Sequence, residues 1–373
     1  MSTDTRREDQ LIREAIRLLN DEYERGQDFN DSFDVDGPLR IGGFEFPQSK
    51  ALFWLDKEAY YEAQQTWVSE SLHQQHERCL QLIKVNAYNT PFRELADSIA
   101  RQRVVPFVGA GISQTMEMPL WGAALRSLHD RIHKPNDPAI SALIAQGRYL
   151  DAADALAKQS RILTDNFIQT TYRVQKVIGA VLLLPQVTHG CIVTTNFDDA
   201  IEQAFRLRDI VFDGYMHGSQ QHNFFSRLVR GHRCLLKLHG DADDPQTYVL
   251  TKSQYIEAYE EPLNFQRPLP KALRQIYISN TLLFLGCSLE EDWTLDLFKT
   301  VKQQCEYEIP HHYAFLPTPY SPQKKQEKEA FLLELNIQPI WYPTDEHAYV
   351  EQLLALVIDV ARNRISLETS VST

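Results

Sequence analysis

Val104-Val-Pro-Phe-Val-Gly-Ala-Gly-Ile-Ser113 is a continuous apolar run that ends in a glycine turn. Such a run reads as a strand buried on both faces rather than one that alternates toward solvent. Gly109 and Gly111 free the backbone at its carboxyl end, where a pyrophosphate could approach the amides of the following turn. Gly-x-Gly without a third glycine in register fits many nucleotide sites, and it also fits a structural tight turn.

Working outward, similar short runs recur at 191–195, 235–238, 282–285, 313–316 and 337–341, with 248–250 as a short edge strand. Helical periodicity fills most of the gaps, at 121–133, 150–160, 167–183, 270–278, 293–304 and 349–363. Strands separated by helices predict an α/β fold, a Rossmann-like three-layer parallel sheet covered on both sides. Ligands of such sheets bind outside the carboxyl ends of the strands, at the topological switch point. Lys324-Lys325 reads as a solvated helix start.

The first 93 residues read as a mainly helical extension, and 94–373 as the main domain with a helical insertion at about 115–185. Leu11, Ile12, Ala15, Ile16, Leu18 and Leu19 recur at helical spacing, and a second helix is expected over 59–85. Between them, Leu39-Arg-Ile-Gly-Gly-Phe-Glu-Phe46 has the alternation of a hairpin about Gly42-Gly43, flanked by Pro38 and Pro47. Packing against the main domain and self-association both remain open for its apolar side.

The chain has 373 residues, room for roughly two domains of about 150 each. Hydrophobic residues at 43% and charged residues at 24% exclude wholesale disorder and fibrous repeats. A net charge of −12 repels phosphate backbones, which argues against strong direct nucleic-acid binding. The apolar stretch at 180–184, closed by Pro185, is far short of the ~20 residues of a membrane span. No apolar signal core follows the charged start, so a soluble cytoplasmic protein with no membrane contact is expected. The five cysteines are scattered without a Cys-x-x-Cys, so neither a disulfide framework nor a zinc ribbon is expected, and no metal.

Three more strand ends carry ligand-type residues. Thr194-Thr-Asn-Phe-Asp-Asp199 places an amide and a carboxylate past the strand at 191–195, although Asn and Asp also serve as helix caps. Leu236-Lys-Leu-His-Gly-Asp241 puts His239, with an ordinary pKa of roughly 6.5, where a proton acceptor would stand. A structural histidine is the plainer alternative. Leu282-Leu-Phe-Leu-Gly-Cys-Ser288 ends in Gly-x-Ser, with a hydroxyl suited to a ribose or phosphate. Independent structural accidents would not be expected to repeat at the same end of four strands.

This combination resembles the sirtuin superfamily, and specifically its bacterial zinc-free branch of NAD-hydrolysing defence proteins. The resemblance covers about 103–364, on Gly109-Ala-Gly-Ile-Ser113, Thr195-Asn-Phe-Asp198, His239-Gly240 and Gly286-Cys-Ser288. His239-Gly-Asp-Ala-Asp-Asp-Pro followed by Tyr248-Val-Leu-Thr-Lys-Ser-Gln-Tyr255 looks like the zinc-free branch. It implies a sirtuin-like fold without the zinc ribbon and NAD+ as substrate across the top of the sheet. Gly109, Ala110, Gly111 and Ser113 would hold the pyrophosphate and nearby ribose, with Ile112, Thr195 and Cys287 in the same binding set. Asn196 would orient the nicotinamide ribose or attacking water, and Asp198 would engage the carboxamide. His239 would accept a proton from a ribose hydroxyl or water, while Gly286 and Ser288 line the adenosine side. The cleavage would be dissociative and would call for a dry, preorganised site.

Two departures from the deacylating sirtuins stand out. No cysteine occurs between Asp241 and Leu282, where the deacylases carry four, and Met118-Pro-Leu-Trp121 stands where they have Pro-Asp-Phe-Arg. Trp121 is then either an apolar lid or core. The expected activity is hydrolysis of NAD+ to nicotinamide and ADP-ribose, a glycohydrolase effector of anti-phage defence. The alternatives are an NAD-dependent protein deacylase or ADP-ribosyl transferase, and a non-catalytic NAD- or ADP-ribose-binding subunit of an ATPase complex. An unregulated NAD hydrolase would kill its own cell. The resemblance therefore implies a homo-oligomer held inactive until phage infection or engagement of a partner, a hexameric HerA-type ATPase or a short-Argonaute arrangement. With only a polar tail at 365–373, control is expected from the N-terminal extension, oligomerisation or another polypeptide.

Overall fold

The computed structural model describes residues 3–132, 137–220, 224–290, 293–305 and 308–367. Of the expectations above, the end of the helix at residue 133 and the tail from 368 onward lie outside the described residues. The chain divides into two compact units, Met1–Leu80 and Gln81–Thr373.

The first unit contains the helices Thr3–Glu24, Gln27–Phe33 and Gln48–Leu55 and the start of the helix Lys57–Val85. It also holds the hairpin of β1 (Leu39–Ile41) and β2 (Phe44–Phe46), paired antiparallel with Leu39 opposite Phe46. Its core is aromatic: Tyr23, Phe29, Phe53 and Tyr60 are buried together. Edge-on contacts of Tyr60 with Phe53 (5.1 Å) and Phe29 (5.3 Å) suit the ring quadrupoles. The buried hydroxyls are satisfied, Tyr60 donating to Asn30 Oδ1 at 2.7 Å and Tyr23 paired with Ser49 Oγ at 2.6 Å. The apolar stripe on Thr3–Glu24 leaves Leu11, Ile12, Ile16 and Leu18 exposed.

The second unit is built on a seven-stranded sheet. Its strands are β3 (Val104–Val108), β4 (Ile192–Thr194), β5 (Gly214–His217), β6 (Cys234–Lys237), β7 (Thr281–Leu285), β8 (His312–Pro317) and β9 (Ile337–Tyr342). They lie in the order β5-β6-β4-β3-β7-β8-β9, and every neighbouring pair is parallel. Every residue of β3, β4, β6 and β7 is buried, so both faces are covered, as the continuous apolar runs require. From β3 the chain moves to β4 on one side. After β6 it crosses to β7 on the other, which makes the end of β3 the switch point. The helices Trp121–Ile132, Pro138–Ala145, Tyr149–Gln159 and Arg161–Thr171 lie between β3 and β4.

Three details differ from the sequence expectation. The helix Asn89–Ala100 buries Phe92, Leu95, Ala96 and Ile99 and packs on β3 and the helix Ala348–Ala361, so the compact division falls ahead of residue 93. The expected helix at 167–183 stops at Thr171, because Tyr172 and Val174 are buried as an irregular segment and tertiary packing overrides the helical period. The edge strand is β5 rather than 248–250. Gly214-Tyr-Met-His has no β-branched residue to signal it, and 248–250 is a loop whose Val249 N–H donates to the His239 carbonyl at 3.0 Å. Among the described residues, no helix is long and apolar enough to cross a membrane.

Candidate active site

The glycine turn after β3 is pressed against the turn after β7. Gly109 N–H donates to the Leu285 carbonyl at 2.8 Å, and Gly111 N–H to the Gly286 carbonyl at 2.9 Å. A Cβ on Gly109 would lie 2.5 Å from the Gly286 oxygen, and one on Gly111 would lie 2.9 Å from Gly286 Cα. Gly286 itself has φ +66°, and a Cβ there would meet the Ile112 nitrogen at 2.5 Å. These glycines therefore bring two backbone turns together. That close approach is the structural tight turn which the Gly-x-Gly pattern also fits. Cys287 Sγ lies 3.4 Å from the Phe107 carbonyl, tying the β7 turn to β3. Ser288 is exposed, and its carbonyl accepts from Lys328 Nζ at 2.5 Å.

Across the switch point, the loop after β4 closes on the same turn. Asn196 Nδ2 donates to Ser113 Oγ at 2.9 Å and to the Gly109 carbonyl at 3.2 Å. Ser113 Oγ in turn donates to Asp198 Oδ2 at 2.8 Å. All three side chains are buried. Burial raises the Asp198 carboxyl above its ordinary range, against the lowering effect of the Ser113 bond. Asp198 Oδ1 accepts from Ala200 N–H at 3.1 Å, so the capping alternative is met by one oxygen while the other faces Ser113. Thr195 continues the sheet with its N–H on the Val108 carbonyl, and its hydroxyl reaches Asn196 Oδ1 at 3.4 Å.

Lys237 was not singled out in the sequence, although a lysine between leucines in a buried strand is the signal that marks it. Its ammonium is fully buried and donates to the Asp198 carbonyl (2.7 Å), Asp241 Oδ2 (2.8 Å) and Glu202 Oε1 (3.1 Å). Burial pulls Lys237 down, but the carboxylates of Glu202 and Asp241 outweigh it and hold it charged. The lysine thus joins the loop after β4 to the loop after β6.

His239 stands two residues past β6, level with Asn196 two residues past β4, since Lys237 and Thr194 are register partners. Gly240, at φ +95°, turns the chain so tightly that a Cβ would sit 2.5 Å from the Thr247 oxygen. The segment beyond folds back on itself, with Tyr248 Oη on the Ala242 carbonyl at 2.6 Å. A capping box of Thr251 and Gln254 then starts the helix Lys252–Tyr259. That helix delivers Tyr255, whose Oη lies 2.7 Å from His239 Nε2. Burial pushes His239 down to about 4, against a hydrogen bond to the Thr195 backbone, so the imidazole is neutral at pH 7.

Aromatic rings wall this corner. Phe197 lies 6.0 Å from the His239 ring and contacts Tyr248 (5.2 Å), Tyr172 (5.7 Å) and Trp121 (6.3 Å). Trp121 thus packs on Phe197 beside this corner. The structure gathers Gly109, Gly111, Ile112, Ser113, Asn196, Asp198, Gly286 and Cys287 into one contact network. His239 joins it through the Thr195 backbone and the Phe197 ring. The Ser288 side chain remains at the exposed edge. The arrangement offers an amide with fixed orientation, a carboxyl with two lone pairs to spare and a neutral imidazole beside apolar walls.

Residues 190–340 match the family model described as a SIR2-like domain. The chain is 26% identical over 208 residues to an NAD(+) hydrolase ThsA of Acinetobacter baumannii (strain 532279), covering 56% of this chain and 41% of that protein. It is 24% identical over 254 residues to an NAD(+) hydrolase ThsA of Bacillus cereus (strain MSX-D12), covering 66% and 48%. The chain thus spans less than half the length of these curated relatives. Among solved structures, a SIR2 homolog–NAD complex aligns over 73% of this chain and 93% of its own, with TM-score 0.39 and 13% identity. A mutant Sir2 homologue with ADP-ribose aligns over 73% and 95%, with TM-score 0.36 and 14% identity.

Proposed function

We propose that this chain hydrolyses NAD+ to nicotinamide and ADP-ribose. The observation that carries the reading is the pairing of two strand ends. Asn196 is held by Ser113 and Gly109 past β4, and a neutral His239 stands level with it past β6. The similarity to two NAD(+) hydrolases supports the same reaction.

In this reading NAD+ lies across the carboxyl ends of the strands. The turn of Gly109, Ala110, Gly111, Ile112 and Ser113 faces its pyrophosphate and ribose, with Gly286, Cys287 and Ser288 on the adenosine side. Asp198 uses its remaining lone pairs for the carboxamide N–H. Cleavage breaks the bond from C1′ to the pyridinium nitrogen, and both electrons leave with nicotinamide, which becomes neutral. The cation left on the sugar is met by water that Asn196 Oδ1 and Thr195 orient. Its proton passes toward His239, a base only in the neutral form that burial maintains. Aromatic walls at Phe197, Tyr172 and Trp121 keep bulk water from the reactive centre and strengthen the fixed dipoles around it.

The wider proposal is an anti-phage effector that depletes NAD+, assembled as a homo-oligomer and regulated by a HerA-type ATPase. It rests on the resemblance of the four strand-end motifs, and co-purification from the native operon tests it. The reaction is tested by incubating the protein, with and without that partner, with NAD+ and separating the products. Nicotinamide and ADP-ribose are expected in equal amounts. Asn196→Ala and His239→Ala are each expected to lower release by about 10²-fold or more while the fold persists. Undiminished release from both variants would remove the site.

A further inference from the structure

The Tyr255 hydroxyl occupies the hydrogen-bonding position of His239 Nε2. Nε2 faces Tyr255 Oη at 2.7 Å, within hydrogen-bond distance. In the tautomer that carries its lone pair on Nε2, the neutral ring accepts from the phenol. The phenol cannot readily swing aside. Its ring is buried, stacked on Tyr259 at 5.8 Å with 11° between planes, and flanked by Trp293 at 6.0 Å. The capping box one turn earlier fixes the helix that carries it.

We propose that the Tyr255 hydroxyl is a proton relay between His239 and the water that attacks C1′, an inference that rests on the hydrolase reading above. The water oxygen forms its bond to C1′ with its own electron pair. One of its protons passes to the phenol oxygen as the phenol's proton moves to Nε2. Tyrosine ends neutral, imidazole ends as imidazolium, and the imidazolium later releases the proton to solvent. A weak base is adequate for this step, because water already bonded to the sugar cation is a strong acid. That matches a histidine which burial holds at about 4.

Tyr255→Phe tests it, since phenylalanine keeps the stacked ring and removes the hydroxyl. With the full chain and its partner, kcat is expected to fall by about 10²-fold, with KM for NAD+ and the melting temperature nearly unchanged. The ¹⁵N shifts of His239 give a readout independent of turnover. A hydroxyl donating to Nε2 favours the neutral ring, so the His239 titration is expected to move to higher pH in Tyr255→Phe. Full or increased kcat in Tyr255→Phe, with His239→Ala inactive, would overturn the relay and leave the hydrolase reading standing. An unmoved His239 titration would show that the bond is absent and would also overturn the relay. Full activity in His239→Ala, or no turnover by the wild type under any partner condition, would overturn the hydrolase site itself and the relay with it.

Discussion

Lys237 Nζ donates to the backbone carbonyl of Asp198 at 2.7 Å, so a buried charge on β6 pins the loop that leaves β4. The same ammonium holds Asp241 and Glu202, and the loops bearing Asn196 and His239 share one electrostatic clamp. Lys237→Met is expected to destabilise the second unit by about 3 kcal/mol, because two partly buried carboxylates lose their cation. Denaturant melts check this. Adding Glu202→Gln and Asp241→Asn to Lys237→Met should recover part of the loss. A single variant within ~1 kcal/mol of wild type would contradict the clamp.

The contact between the turns after β3 and β7 depends on missing side chains. Gly286→Ala would put a Cβ 2.5 Å from the Ile112 nitrogen in a left-handed backbone. A loss of about 2 kcal/mol or more is expected, read as a lower melting temperature. An unchanged melt would mean that the two turns separate easily.

Ser113 accepts from Asn196 and donates to Asp198 in one buried chain. Ser113→Ala leaves both partners short of a bond, at a cost of about 1–3 kcal/mol. Turnover is expected to fall about tenfold, because the Asn196 amide loses the bond that orients it. Wild-type kcat and stability together would show that the Gly109 carbonyl suffices.

Two histidines make stability depend on acid. Burial, assisted by the charges of His311 and Lys302, pushes His312 down to about 3, and its Nδ1 accepts the Leu282 N–H at 3.0 Å across β7 and β8. Burial pushes His239 down to about 4. Both native pKa values lie below the unfolded value of roughly 6.5, so the neutral forms are favoured by folding. Their stabilisation is full above about pH 6.5 and is lost as pH falls toward 4 and then 3. The loss approaches about 3 kcal/mol or more for each. His312→Asn, which retains an acceptor for Leu282 N–H, should flatten the lower part of this fall. Identical pH–stability curves for variant and wild type would contradict the assignment.

Much of the fold was legible because its signals are local. The run at 104–108 and the helix at 293–304 matched the structure end to end, since each pattern is set by burial along one segment. β5 escaped because Gly214-Tyr-Met-His gains its place only by pairing with β6. The motifs at four strand ends were visible, but their bonding was not. Ser113 meets Asp198 across 85 positions and His239 meets Tyr255 across 16, and no spacing rule links such pairs. Tyr172 was assigned to a helix by its period, whereas its ring packs beside Phe197 in the wall of the site.

Whether Asn196 and His239, the latter through Tyr255, serve one C1′ carbon is a question of position. A crystal structure of the His239→Ala variant with intact NAD+ measures it most directly. C1′ is expected within about 4 Å of Asn196 Oδ1, with a water or ribose hydroxyl within about 3 Å of Tyr255 Oη. NAD+ bound elsewhere on the chain, or with its nicotinamide ribose turned away from these two side chains, would contradict it.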